Sequence, residues 1–221
     1  MPRNSDAPDF DPVARPYRWL EYLSFGPLLE RCRFYRVPEL ANAQRALILG
    51  DGDGRFIARL LSQNQQLHAD GVDLSPAMLR LLSDRIARIG AQNRVNLHCA
   101  DAREFTPLGD YDLIVTHFFL DCLTTAEVQA LTQRIRPLLC PEAHWVVSEF
   151  AIPPGLLSIP ARLIVRSLYA AFRLLTGLTV HRLPDHATAL RACNLELVDR
   201  HQWLGGLLIS EIWQLQATTR A

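Results

Sequence analysis

Three glycines at alternate positions, Gly50, Gly52 and Gly54, follow a short apolar run and lead into a segment with helical spacing. Glycine has no Cβ, so such a loop can turn sharply and approach a ligand closely. The GxGxG spacing differs from the GxGxxG of dinucleotide-binding loops, which seat a pyrophosphate on a helix N-terminus. The intervening Asp51 and Asp53 would repel phosphate and tolerate a sulfonium or ammonium. The loop therefore predicts a ligand without a pyrophosphate, with an ordinary glycine-rich turn as the alternative.

Two further acids, Asp73 and Asp101, come at the ends of the next two predicted strands. Open α/β sheets bind ligands at the carboxyl ends of their strands. A carboxylate at the position of Asp73 can accept hydrogen bonds from both hydroxyls of a ribose, and Asp101 is placed to meet the exocyclic amine of adenine. Each acid alone could be a helix cap or a solvated turn. Together with the glycine loop they indicate a nucleoside ligand.

Residues that could move a proton follow the fourth predicted strand. His117 and Asp121 are candidates for a general base wherever a substrate must lose a proton. His117 could instead be a hydrogen-bonded residue at a strand end, and Asp121 could be a helix cap. Cys122 is interpreted as a small buried residue, since direct group transfer needs no covalent intermediate. The sequence contains no lysine, which excludes Schiff-base chemistry.

Strands and helices alternate along the chain, which predicts a doubly wound, mostly parallel α/β sheet. The predicted strands are Arg45–Leu49, Ala69–Leu74, Arg94–Cys99, Tyr111–Phe118 and Ala143–Phe150. The predicted helices are Pro16–Arg33, Phe56–Gln63, Pro76–Ile89 and Thr125–Leu139, the last with Thr124 or Thr125 as its N-cap. Leu195–Trp203 and Leu207–Gln216, on either side of Gly205 and Gly206, predict an antiparallel hairpin. The expected fold is a seven-stranded Rossmann-like sheet with an antiparallel C-terminal strand.

Length and composition favour a single domain over residues 1–221, with a mobile tail at 1–14 and a helical cap at 15–44. Basic and acidic residues balance at 23 each, which argues against a nucleic-acid partner. Five scattered cysteines with no metal-like spacing predict a cytoplasmic protein without a metal site. No signal peptide and no membrane-spanning segment are expected.

The stretch 151–183 is apolar apart from a few arginines, and it is expected to define a substrate pocket. Arg162, Arg166 and Arg173 fall near one another on a helical wheel. One interpretation is a helix packed on the domain with its arginines outward. The other is a lid over a lipophilic substrate, with possible peripheral membrane or lipid contact through 156–178. Trp19, Tyr22 and Phe25 would form the opposite wall of the pocket.

Five segments follow, in order, the motifs of the class I S-adenosylmethionine (SAM)-dependent methyltransferases, which this chain resembles over residues 45–150. They are LILGDGDGRF, GVDLSPAML, HCADAREF, YDLIVTHFFLDCLT and IRPLLCPEAHWVVSEF. The resemblance implies SAM as cofactor. It further implies a set of cofactor-binding residues, namely Tyr17, Gly50, Asp51, Gly52, Gly54, Asp73, Leu74, Asp101, Ala102, Thr116 and His117. Ile48 departs from the family, which usually has an acid there, and Asp51 is the expected substitute.

The flanks FDPVARPYRWLEYLSFG and LPDHATALRACNLELVDRHQWLGG are similar, more weakly, to the branch that contains the ubiquinone/menaquinone C-methyltransferases. The resemblance implies methyl transfer to a small apolar acceptor that is quinone-, phenol- or lipid-like, with His117 and Asp121 as catalytic candidates. Two alternatives remain: an aminopropyltransferase-like enzyme on the same fold, and a non-catalytic SAM-binding partner subunit. The sequence makes no prediction of oligomeric state.

Overall fold

A computed structural model describes Asp11 and residues 25–216, and in this part of the chain seven strands form one sheet. The strands are β1 (Arg45–Leu49), β2 (His68–Asp73), β3 (Val95–Cys99), β4 (Tyr111–His117), β5 (Leu139–Phe150), β6 (Leu195–Trp203) and β7 (Leu208–Leu215). Their order is β3-β2-β1-β4-β5-β7-β6. β1 to β5 are parallel, whereas β7 runs antiparallel to both of its neighbours, β5 and β6. The predicted mixed sheet with its antiparallel C-terminal strand is confirmed.

Helices cover both faces of this sheet. They are α1 (Leu28–Phe34), α2 (Arg55–Gln63), α3 (Pro76–Arg88), α4 (Thr125–Ile135), α5 (Ser158–Thr176) and α6 (His186–Ala192). Short 3-10 turns occur at Val37–Leu40, Gln92–Arg94, Leu120–Cys122, Arg136–Leu138, Gly155–Leu157 and Leu204–Gly206. α2 and α3 pack on one face of the sheet and α4 and α6 on the other. The strand order reverses between β1 and β4, which is where open α/β sheets bind their ligands.

Side-chain caps explain where two helices begin. The Ser75 hydroxyl accepts a hydrogen bond from the Met78 N–H, and Pro76 occupies the first turn of α3. Thr124 and Glu127 form a reciprocal capping box at the start of α4. Both predicted helix starts are therefore confirmed, and Thr124 is the cap.

The ends of two elements differ from the predictions. The helix predicted to reach Leu139 ends at Ile135 and continues as a 3-10 turn that contains Pro137, because proline cannot donate the next helical hydrogen bond. β5 begins at Leu139 instead of Ala143. Helix α6, which was not predicted, begins where the Asp185 carboxylate accepts from the Thr188 N–H.

The N-terminal predictions fall mostly outside the described residues. Only the last part of the helix predicted over Pro16–Arg33 is described, and there α1 follows Pro27. Tyr17, Trp19 and Tyr22 lie outside the described residues. In the segment 1–14 the one described residue, Asp11, accepts hydrogen bonds from the Ser75 hydroxyl and the Ala77 N–H at the start of α3.

Helix α5 lies over the end of the sheet. Its inner side buries Ala161, Val165 and Tyr169 in an apolar cluster with Phe150 of β5, separate from the apolar clusters on the two faces of the sheet. By length and composition alone, Gly155–Thr176 could cross a membrane, although no spanning segment was expected from the sequence. In the fold this helix instead has one side packed on the domain and the other exposed.

Candidate active site

A cavity of about 460 Å³ opens at the carboxyl ends of β1 to β4. One end is lined by the glycine loop and the residues that follow β2 and β3, namely Gly50, Gly52, Asp73, Leu74, Met78, Ala100, Asp101, Ala102 and Arg103. The other end is apolar and includes Phe118, Phe119, Phe150, Val165, Leu168, Phe172, Leu178, Val180 and Leu183. The structure therefore joins the predicted nucleoside site to the predicted apolar insert in one cavity.

The three glycines of the loop all have positive φ, but each is needed for a different reason. A Cβ at Gly54 would stand 2.5 Å from Leu82 Cγ and 2.9 Å from its Cα, so this glycine allows α2 to pack against α3. A Cβ at Gly50 would stand 2.4 Å from a ring carbon of Phe119. At Gly52 the nearest atom is Met78 Sδ at 3.7 Å. Gly52 lines the cavity, and an added Cβ there would make only an ordinary contact with Met78.

The two acids inside this loop are turned toward the protein. Asp53 is buried and paired with Arg55 Nε and Arg85 Nη2, each at 2.9 Å, so it fastens the loop to α3 and does not face a ligand. Asp51 Oδ2 accepts the Ile57 N–H at 3.0 Å, which satisfies a donor in the first turn of α2. Its Oδ1 is buried and has no partner among the described residues, and burial raises the pKa of Asp51 to about 7. Neither acid is in the described wall of the cavity.

Asp73 lies in the cavity wall at the end of β2. Its Oδ1 accepts the Ser75 N–H at 2.8 Å and its Oδ2 accepts the Gly52 N–H at 3.2 Å. Burial raises its pKa to about 6, although these backbone hydrogen bonds oppose the shift. A carboxylate has about four lone-pair sites, so each oxygen retains capacity for a ligand hydroxyl. Asp73 therefore both orders the glycine loop and presents acceptors to the cavity.

Asp101 and Ala102 also line the cavity, as predicted for an adenine site. The Asp101 carboxylate is held by Arg103, whose Nη2 lies 2.7 Å from Oδ2. Arg103 in turn reaches Glu127 at 2.8 Å. Burial opposes ionisation of Asp101, but the hydrogen bonds from Arg103 lower its pKa below the ordinary value. Asp101 is thus a fixed anion at the end of β3, and its contact with adenine stays a prediction.

Thr116 and His117 do not reach the described cavity wall. The fully buried Thr116 hydroxyl accepts from Trp145 Nε1 at 3.1 Å inside the sheet. His117 is 4% exposed, and its ring lies edge-on to Phe56 with centroids 4.4 Å apart. Neither ring nitrogen has a hydrogen-bond partner among the described residues, and burial lowers the pKa of His117 well below its usual value. This position does not support the cofactor contacts predicted for the two residues, nor the catalytic role predicted for His117.

Replacement of His117 by phenylalanine should therefore leave the protein folded and active. The substitution keeps an aromatic contact with Phe56 and removes two buried unpaired nitrogens, each of which costs about 1–3 kcal/mol. We expect activity within about twofold of wild type. The free energy of unfolding in urea should be unchanged or higher, since the cost of fitting a larger ring is offset by the gain from removing unpaired buried nitrogens.

The matched variant is His186→Phe. His186 Nε2 lies 3.0 Å from Glu211 Oε2, so this second substitution should destabilise the fold by about 1–3 kcal/mol by leaving a buried carboxylate with one partner fewer. A His117→Phe protein that folds normally but is inactive would restore the catalytic assignment.

Asp121 lies in the cavity wall, on the 3-10 turn after β4. The Tyr169 hydroxyl of α5 donates to the Asp121 backbone carbonyl at 2.9 Å. The buried Glu149 of β5 holds the same turn, because its Oε1 accepts the Phe119 and Leu120 N–H groups at 3.0 and 2.7 Å. Burial raises the pKa of both acids, and their mutual repulsion raises that of Glu149 further. Asp121 is the one predicted catalytic residue that the structure brings into the cavity.

Two residues that contact the cavity wall were not predicted from the sequence. Glu149 is an acid near the end of the mostly apolar, buried run WVVSEF, and that acid in a buried strand was an available signal. Arg33 comes from α1, is 5% exposed, and lies with its guanidinium 5.6 Å from the ring centroid of Phe118. Phe118 itself has φ +51, an uncommon backbone conformation for a residue with a side chain. No local pattern around Arg33 indicates this long-range contact.

Residues 47–145 match the family model described as a methyltransferase domain. Among curated proteins, polyamine aminopropyltransferase 2 of Bacillus cereus is 33% identical over an alignment of 119 residues, and the alignment covers 49% of this chain and 32% of that protein. The chain thus spans about a third of the length of the curated relatives it matches.

Two solved structures share the fold over most of the chain. An O-methyltransferase family 2 protein from Planctomyces limnophilus, in complex with apigenin, has a TM-score of 0.69 at 17% identity and covers 96% of this chain and 63% of its own. The N-methyltransferase NodS from Bradyrhizobium japonicum, in complex with S-adenosyl-L-homocysteine, has a TM-score of 0.61 at 17% identity and covers 86% of this chain and 88% of its own.

The seven-stranded sheet is like that of Rossmann-like methyltransferases, and the matched domain supports the class that the ordered motifs predicted. The matched residues make up less than half of the chain, and they support SAM-dependent methyltransferase chemistry with S-adenosyl-L-methionine as the cofactor. The quinone C-methyltransferase branch is not confirmed by these matches and stays a prediction.

Proposed function

We propose that this protein transfers a methyl group from SAM to a small apolar acceptor of the phenol, quinone or lipid type. The observation that carries the proposal is the two-part cavity, whose polar end bears Asp73 and Asp101 and whose other end is walled by apolar side chains. Ligand sites are commonly concave and mostly apolar, with a few polar groups that fix orientation.

The polar end fits the cofactor. Gly52 brings backbone without a side chain to the cavity wall, and Asp73 retains acceptor capacity for two ribose hydroxyls. Asp101 and Ala102 would flank the adenine. When bound, SAM supplies an activated methyl group on a cationic sulfur. The chain's own residues have to hold that methyl group against the acceptor, and such alignment can contribute roughly 7–11 kcal/mol to the barrier reduction.

The apolar end would position the acceptor and keep water away. Phe118, Phe150 and Phe172 contribute aromatic surface there. Asp121 stands in the same wall, where burial raises its pKa toward neutrality. A carboxylate with a raised pKa can accept the proton that a phenolic or similar acceptor loses as the new bond forms. We therefore assign Asp121 the role of general base.

Aminopropyl transfer is the second candidate, because the aligned Bacillus relative is a polyamine aminopropyltransferase. That reaction needs anionic groups to receive a polyamine. Of the acids in the cavity wall, Asp101 and Glu127 are paired with Arg103, and Asp73 lies in the nucleoside end. This leaves Asp121 beside an apolar chamber, which favours an apolar acceptor. A SAM-binding subunit without catalysis is the remaining alternative.

Binding and turnover together test the proposal. Titration calorimetry should detect binding of SAM and S-adenosyl-L-homocysteine and weaker binding of decarboxylated SAM and NAD. Incubation with methyl-labelled SAM and a panel of phenols, including apigenin, quinones and lipids should then yield an acceptor heavier by one methyl group in mass spectrometry. Transfer to a polyamine from decarboxylated SAM, with none from SAM, would favour aminopropyl transfer. Tight SAM binding without any methylated product would favour the non-catalytic subunit.

Asp121→Asn should lower kcat for a protic acceptor by about 10²–10⁴-fold, which is the usual contribution of a positioned base. The cofactor affinity should stay within about twofold, since Asp121 lies outside the predicted nucleoside contacts. Stopped-flow or labelled-methyl assays measure kcat, and calorimetry measures the cofactor affinity. The matched variant Asp110→Asn changes an exposed acid and should leave both quantities unchanged. Equal kcat in Asp121→Asn and wild type would show that Asp121 is not the general base.

A cytoplasmic location and the lack of a nucleic-acid partner also stay part of this proposal. Both rest on the reduced cysteines and on the balance of basic and acidic residues.

A further inference from the structure

The outer side of α5 and of the turn before it exposes a row of large apolar side chains, which we term the outer face. Its members are Leu156, Leu157, Ile159, Leu163, Ile164, Leu174 and Leu175. Leu156 and Leu174 are 92% and 87% exposed. The row continues onto the β6–β7 turn, where the half-exposed Leu204 adjoins Gly205, whose added Cβ would stand 2.7 Å from Leu157 Cδ1. A contiguous exposed apolar patch of this kind marks an interaction surface.

The charged residues in this part of the sequence are all of one sign. Residues 151–184 contain no aspartate or glutamate, although the whole chain has a formal net charge of zero. Arg162, Arg166 and Arg173 are exposed, and at 100° per residue they fall within about 40° of one another along one flank of the helix. A positive edge next to an apolar strip complements a surface that presents anionic groups above hydrocarbon.

We propose that the outer face docks on an anionic phospholipid bilayer, with α5 lying in the plane of the interface. The leucine and isoleucine side chains would enter the acyl region, and the arginines would extend to the phosphates. A spanning orientation does not fit, because Ala161, Val165 and Tyr169 on the inner side are packed in the domain. The Tyr169 hydroxyl is also bonded to the Asp121 carbonyl, which fixes α5 to the cavity turn.

The cavity opens next to this surface. Ala171 and Leu175 are exposed and also belong to the cavity wall, so among the described residues the apolar lining continues onto the outer face. A lipophilic acceptor could therefore pass from the bilayer into the cavity without crossing water. This last step rests on the proposed methyl transfer, whereas the docking does not.

Vesicle flotation without cofactor or acceptor tests the docking. The protein should bind vesicles of phosphatidylcholine with phosphatidylglycerol at least tenfold more tightly than pure phosphatidylcholine, and added salt should weaken this binding. Two variants, Arg162→Glu/Arg166→Glu/Arg173→Glu and Leu163→Gln/Leu174→Gln, should each reduce binding at least tenfold. The matched controls Arg59→Glu/Arg88→Glu and Leu108→Gln change exposed residues elsewhere and should bind as wild type.

Equal binding to neutral and anionic vesicles, or equal loss in the control variants, would overturn the proposal. The competing possibility is that a second copy of the chain covers this face, and sedimentation velocity tests it. A wild-type dimer that dissociates in Leu163→Gln/Leu174→Gln, together with no vesicle binding by wild type, would establish that possibility. Vesicle binding by a protein that never methylates any acceptor would leave the docking intact and reject the enzymatic function alone.

Discussion

Asp73→Ala should weaken SAM binding by about 10- to 100-fold. The substitution removes the charge-assisted hydrogen bonds that we propose between Asp73 and the ribose, worth about 1.5–3 kcal/mol, and each 1.4 kcal/mol is a factor of about ten in Kd. It also leaves the Gly52 N–H without its acceptor, so the glycine loop loses the contact that orders it. Titration calorimetry with SAM measures the change directly.

Asp70→Asn is the matched control on the same strand. Asp70 receives hydrogen bonds from Asn96 and Tyr111 and lies outside the described cavity wall. We expect this variant to be less stable than wild type but to bind SAM with the same Kd. If Asp73→Ala and Asp70→Asn bind alike, Asp73 does not hold the ribose.

The pH dependence of SAM binding is a second test of the role of Asp73. Burial raises its pKa to about 6, so the carboxyl becomes protonated as the pH falls through that value. A protonated carboxyl offers fewer acceptor sites to a ribose, and SAM affinity should therefore decline on the acid side of pH 6 and be constant above it. Asp73→Asn should bind weakly at every pH, with this acid-side decline abolished.

Gly54→Ala should lower the free energy of unfolding by about 2–5 kcal/mol, a large share of the about 5–15 kcal/mol typical of a domain. The left-handed backbone at φ +79 costs about 1–2 kcal/mol once a Cβ is present. A further cost of about 1–3 kcal/mol arises because that Cβ would press on the backbone of Leu82 and separate α2 from α3. Urea denaturation should show a lower midpoint with an unchanged slope.

Gly90→Ala separates the two causes. Gly90 has φ +66, and an added Cβ would meet no atom within 4 Å. This variant should lose only the conformational part, about 1–2 kcal/mol. Similar losses in the two variants would mean that α3 moves aside easily and that packing against Leu82 does not require glycine.

The local signals in the sequence were sufficient for the fold. Alternating strands and helices predicted the doubly wound sheet, and Gly205 with Gly206 predicted the final hairpin; both are present. Ser75 and Thr124 begin their helices as expected. These features could be predicted because periodicity, caps and turns act over a few residues, within one stretch of backbone.

The candidate site was predictable only where it depends on such local backbone. Gly52 and Asp73 follow directly from the ends of β1 and β2, and the structure places both in the cavity. Asp53 has the same sequence signature as a ligand-facing acid, yet it pairs with Arg85 on α3. His117 is the last residue of β4, as the sequence pattern predicted for a ligand-facing position, but its ring is buried against Phe56 of α2.

The sequence by itself determined the order of strands and helices, the glycine loop and the acids at the strand ends, because short-range stereochemistry decides them. Only the tertiary structure decided that Asp53 forms ion pairs with arginines and that the His117 ring is buried. It likewise decided that Glu149 supports the turn of Asp121. It also decided that one side of α5 closes the apolar end of the cavity while the other stays exposed. The physical reason is that side-chain partners and burial depend on elements far apart in the chain, which local sequence patterns do not encode.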